Sequence, residues 1–177
     1  MDKTLAFEYF VYKLYEWYEN AMGNINDNDF STLKVLKLLF FCSAIEAEEE
    51  SETTLLDKPF NNFYAMPYGH VESDIYNSIR KDELQYFCID NKKTIQKKTP
   101  DFSELSLDLK GKIDSSFKKL LEENEELFKM SPLELVELSH LWYSWKYYYS
   151  KAKQGGSFSA KIPNHIIKSE EKILFID

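Results

Sequence analysis

Residues 31–45 read STLKVLKLLFFCSAI, and this stretch decides the fold. Ser31 or Thr32 can cap a helix, and the residues that follow are apolar on nearly every side except at Lys34 and Lys37. A helix without a polar face has to lie in the middle of a domain, covered by other elements. Lys34 and Lys37 stand at i and i+3, so they share one side and are expected to leave toward a common exit, solvent or a neighbouring carboxylate.

The surroundings of that helix fill in on both sides. Upstream, Leu5, Phe7, Phe10, Val11, Leu14, Trp17 and Tyr18 recur at three- and four-residue steps, one face of an amphipathic helix that Gly23 and the polar run 24–28 bring to an end. Downstream, the acidic run EAEEESE at 46–52 reads as a solvated helix end or loop. Pro59, Pro67 and Gly69 forbid a continuous helix before His70, and Val71, Ile75, Tyr76 and Ile79 predict a short one over 71–79. Around Asp90-Asn91, LQYFCIDNKKTIQKK is rich in strand-forming residues and predicts a hairpin at about 84–97, with Lys92, Lys93, Lys97 and Lys98 on an exposed edge. A helical stretch over 105–128, with Gly111 as a weak point, leads to the clearest start signal in the chain: Ser131 as cap, Pro132 at the first turn and Glu134 in capping-box position. The spacing then predicts one principal core helix over 133–152, with Leu135, Leu138, Leu141, Trp142, Trp145 and Tyr149 on its inner stripe and Gly155-Gly156 as its stop. One last short helix begins near Pro163. The expected fold is mainly α: a compact single-domain helical bundle, residues 1–177, around a buried central helix at about 31–45, with a small β-hairpin at about 84–97.

Composition narrows function. With 44% hydrophobic residues among 177, the chain can fill one core, while its longest apolar run, 38–42, is far short of the about 20 residues a membrane span requires. No secretory leader is read, so the expected location is cytoplasmic and no membrane partner is expected. A net charge of −8 is opposite in sign to a phosphate-binding surface, which argues against direct nucleic-acid binding. It suits a partner with a basic surface instead. Cys42 and Cys88 lie far apart in apolar surroundings and read as reduced core residues.

Catalytic templates fail one after another. Glu137 and His140 form a Glu-x-x-His pair of the kind that supplies half of a di-metal site, but Pro67 and Ile162 stand three residues before His70 and His165, so the second half is missing. No paired cysteines or His-x-x-x-His set a zinc site. Only Gly155 and Gly156 among five glycines are adjacent, and no nucleotide loop or nucleophile elbow occurs. No enzyme activity, catalytic residue, metal or cofactor is expected.

Three blocks in order, STLKVLKLLFFCSA, FNNFYAMPYGHVESDIYNSI and SPLELVELSHLWYSW with KIPNHI after it, resemble the Panacea domain (SocA-like) antitoxin family over about residues 33–167. The matching positions are Lys37, Leu38 and Leu39; Phe63, Ala65, Tyr68, Gly69, Val71, Ile75 and Tyr76; and Leu138, Ser139, His140 and Trp145. His70 departs from the pattern, standing where the family usually has proline. The resemblance implies an antitoxin of a toxin–antitoxin system, in a phage-defence setting, that binds and neutralises a cognate toxin encoded by the adjacent gene. For Lys37, Phe63, Tyr68, Gly69, Val71, Tyr76, His140 and Trp145 it leaves a structural and a partner-binding role both open. Two other readings stand beside it: an adaptor that delivers a bound partner to a protease, as the resemblance also implies, and a helical enzyme of unrecognised type.

Overall fold

The computed structural model describes residues 3–177. Helix α2 (Thr32–Ile45) is the centre of the molecule: every residue from Lys34 to Ile45 is buried, and Ser31 caps its start by accepting from the Lys34 amide at 3.3 Å. Around it lie α4 (Leu107–Asn124), α5 (Pro132–His140) and strand β2 (Gly69–Glu72), and α1 (Lys3–Ala21) packs on α4. Phe7, Phe10, Phe40, Phe41, Phe63, Phe117 and Phe128 form the apolar filling, with most ring pairs tilted or edge-on, the geometry that aromatic quadrupoles favour. The architecture is mainly α with small β elements, as expected.

Strand β1 (Phe63–Met66) pairs antiparallel with β2 through a tight turn at Pro67-Tyr68, and with the two-residue β5 (Ala160–Lys161) on its other edge, giving the order β2-β1-β5. Helix α3 (Ser73–Arg80) follows directly, capped by Glu72, whose Oε2 accepts from the Ile75 amide at 2.9 Å. The second sheet is the expected hairpin, β3 (Phe87–Ile89) with β4 (Thr94–Gln96). It is fastened to α1 by a buried carboxylate: Glu8 Oε1 accepts from the Tyr86 amide at 2.6 Å and the Phe87 amide at 3.2 Å. The capping box at Ser131 and Glu134 is present, and α7 (Asn164–Ser169) starts one residue past Pro163.

Several expectations are corrected. The helix expected over 133–152 is two helices, α5 and α6 (Tyr143–Gln154), because Trp142 takes an extended conformation (ψ 135°) that turns its ring into the core. There it packs edge-on against Phe40 at 4.8 Å and donates Nε1–H to the Ile173 carbonyl at 2.9 Å, burial that an unbroken helix could not give it. Leu141 is thrown outward and is exposed, while Trp145 and Tyr149 are half-buried. Val71 belongs to β2, so α3 begins two residues later than the spacing predicts. The helix expected over 105–128 is α4 followed by a tight 3₁₀ turn from Glu125 to Phe128, and it runs through Gly111 without a break. Cys88 is exposed on β3, where alternation points it outward, whereas Cys42 is buried and its thiol pKa is pushed up by that burial.

Candidate functional site

The two lysines of α2 diverge, contrary to the expected common exit. Lys34 reaches the Asp29 carboxylate at 2.8 Å near the surface. Lys37 points inward and donates to the main-chain carbonyl of His70, with no carboxylate paired to it among the described residues. A lone hydrogen bond does not replace the hydration of an ammonium ion, so burial lowers the Lys37 pKa to about 7.

His70 is wholly buried beside it. Its Nδ1 lies 2.7 Å from Ser139 Oγ and its Nε2 lies 2.7 Å from Ser144 Oγ, while its ring stacks on Phe40 at 3.7 Å. Burial, reinforced by the Lys37 and His140 charges, holds the imidazole pKa well below its usual value, so the ring is neutral near pH 7. A neutral ring offers one N–H donor and one acceptor, which matches one serine hydroxyl on each side. Ser144 passes the network on: its amide donates to Glu170 Oε1 at 3.1 Å, and burial raises the Glu170 pKa despite that bond. The set Lys37, His70, Ser139, Ser144 and Glu170 joins α2, β2, α5, α6 and the segment after α7. Histidine between hydroxyls is chemistry that acyl transfer could use, yet no face of this ring is open to a substrate. Here it fixes the position of a turn.

That turn is held from outside as well. His140 Nε2 donates to the Pro67 carbonyl at 3.1 Å, and Trp145 Nε1 donates to the Met66 carbonyl at 2.7 Å. The two rings stack on each other at 3.7 Å, and Trp145 stacks in turn on Tyr149 at 4.9 Å. Gly69 has φ +96°, and a Cβ there would meet Ser139 Oγ at 2.4 Å, so both conformation and space demand glycine.

On the outer side of the turn opens a groove of about 620 Å³ between it and the starts of α2 and α5. Leu33, Leu36, Met66, Val71 and Leu133 give its wall an apolar character, and no charged side chain lines it. Tyr68 and Leu133 at the rim are 60% and 64% exposed and extend its apolar surface outward. The groove therefore has the form of a docking surface for apolar side chains.

The eight positions singled out by resemblance separate into three groups. Tyr68, Val71 and Tyr76 line the groove. Lys37, Gly69, His140 and Trp145 hold the turn that forms its wall, and Phe63 packs in the core against Phe40 at 5.6 Å. Sequence reading missed Ser144 and Glu170, which carry no local motif, and left Leu133 as an ordinary member of a capped helix start. The alternation of Leu33, Leu36 and Leu133 with polar caps was the signal available for the groove. Comparisons with protein-family models, with curated proteins and with solved structures return no match.

Proposed function

We propose that this chain is an antitoxin of the Panacea (SocA-like) kind, without catalysis of its own, that neutralises a cognate toxin by direct binding through the groove between α2, α5 and the β1–β2 turn. The observation that carries the reading is the uncharged, open groove with Tyr68 and Leu133 exposed at its rim, walled by a turn that a buried network holds in place. Preorganised apolar pockets with aromatic rims are where interface energy concentrates. This placement favours apolar anchoring over the acidic runs at 46–52 and 122–126 as the main contact.

The test is co-expression with the product of the adjacent gene. Growth rescue and a stable complex are expected, with Tyr68→Ala and Leu133→Asp each weakening binding by about tenfold or more while leaving the melting temperature within about 2 °C of wild type. Binding through the groove should also change little between low and high salt, since no charge lines it. Rescue that disappears in a protease-deficient host would turn the reading toward an adaptor. If no neighbouring protein is toxic or binds, the antitoxin reading falls.

A further inference from the structure

The sequence distributes charge unevenly. From Leu138 to Ser169 there is no Asp or Glu, although the chain holds 30 of them, and the same stretch carries Lys146, Lys151, Lys153, Lys161 and Lys168. Lys168 is buried and paired with Asp57 at 2.9 Å. Lys146, Lys151 and Lys153 are exposed on α6, and among the described residues none of the three has a carboxylate partner.

The aromatic residues of α6 divide between two faces. Trp145 and Tyr149 turn toward the β1–β2 turn, as described. Tyr143 and Tyr147 turn away from it and are 56% and 42% exposed, their rings near-parallel at 5.5 Å. Together with Lys146, Ser150, Lys151 and Gln154 they form a shallow hollow of about 450 Å³. Every polar group around it can donate a hydrogen bond and none is a carboxylate.

We propose that this outer face of α6 is a second docking surface, separate from the groove, whose occupant is an acidic polypeptide segment presenting Asp or Glu side chains. Ammonium groups and phenolic hydroxyls together match carboxylates in charge and in hydrogen-bond polarity. The ring geometry decides against nucleic acid. Tyr143 stacks on Tyr147 from the preceding helical turn, and the Lys151 ammonium lies 5.3 Å from the Tyr147 ring centre and 5.9 Å from that of Tyr148, from the following turn. Tyr147 thus already has a ring and an ammonium group against it, which leaves less of its face for a base to stack on. Length argues the same way. The twelve residues of α6 span about 18 Å, roughly two Debye lengths at physiological salt, so a short acidic segment feels mainly the lysines, whereas a longer polyanion would run onto the acidic remainder of the surface.

The experiment uses the intact chain and fluorescence anisotropy with two short labelled probes of similar charge, a peptide of about six alternating Glu and Asp residues and an oligothymidylate of about six nucleotides. The peptide is expected to bind, and more weakly at about 200 mM than at about 50 mM salt. Lys146→Glu/Lys151→Glu/Lys153→Glu should weaken it by about tenfold or more, while Lys81→Glu/Lys98→Glu/Lys118→Glu, the same charge change elsewhere, should weaken it by less than about threefold. Both variants replace exposed lysines, and unchanged thermal melts establish that each is folded. Absence of peptide binding, equal losses in the two triple variants, or tighter binding of the oligonucleotide than of the peptide would each overturn the proposal.

Discussion

Replacing Lys37 by methionine should change how stability depends on pH. The folded chain holds this amine at a pKa of about 7, because it is fully buried with a carbonyl as its partner, whereas in the unfolded chain it titrates near 10.5. Between those values the unfolded state binds a proton that the folded state does not, so wild-type stability rises with pH, by ~1.4 kcal/mol per pH unit once the folded amine is neutral. Below about pH 7 both states carry the proton, and that contribution is gone. Lys37→Met keeps a side chain of similar length, removes the titration, and gives up a hydrogen bond worth about 1 kcal/mol. Groups that titrate in both proteins cancel in the difference between them. From about pH 6.5 to about pH 9, wild type should therefore gain roughly 2–3 kcal/mol relative to the variant, or about 5–10 °C in melting temperature for a chain of this size. Urea unfolding of both proteins at intervals across that range measures the difference. Parallel profiles would refute the reasoning, for they would mean that Lys37 stays charged in the folded core.

The same network makes further predictions. Gly69→Ala should lose about 3 kcal/mol or more in urea unfolding, since positive φ and a Cβ 2.4 Å from Ser139 Oγ add strain to overlap; wild-type stability would contradict the geometry. His70→Phe should keep the stack on Phe40 and the bond from the main-chain amide at 70 to Ser139 Oγ, but deprive both serine hydroxyls of their ring partner, at about 1–3 kcal/mol each. It should also flatten the acid side of the profile: below about pH 6.5 the unfolded histidine takes a proton that buried His70 refuses, so wild type loses stability as pH falls and the variant loses less. Trp145→Ala removes a half-buried ring and the Met66 hydrogen bond, with an expected loss of about 2–4 kcal/mol, and Trp145→Phe should lose only about 1 kcal/mol. An unchanged melting temperature in Trp145→Ala, together with lost partner binding, would move that residue from turn support to the interface.

Some of this molecule is legible one segment at a time. The central helix, the capping box at Ser131 and Glu134, the hairpin around Asp90-Asn91 and the helix near Pro163 follow from hydrophobic period, cap chemistry and turn residues, which act within a few positions of the chain. The acid-free run over 138–169 is likewise plain in the letters. What only the tertiary structure decided depends on partners far away in sequence. Helical spacing placed Trp142 inside an unbroken helix, but its ring is satisfied by Phe40 and the Ile173 carbonyl, and burying it there outweighs one helical turn. Lys37 and Lys34 look equivalent on a helical wheel, yet Asp29 stands beside one and the enclosed His70 carbonyl beside the other, so one lysine has an ionic partner and the other only a carbonyl. Ser139, Ser144 and Glu170 acquire their roles only when α5, α6 and the segment after α7 close around His70. Period and capping are local free energies that any window of sequence contains, whereas desolvation is imposed by whatever the rest of the chain brings to a site, and it is desolvation that turns these polar residues into the support of a groove.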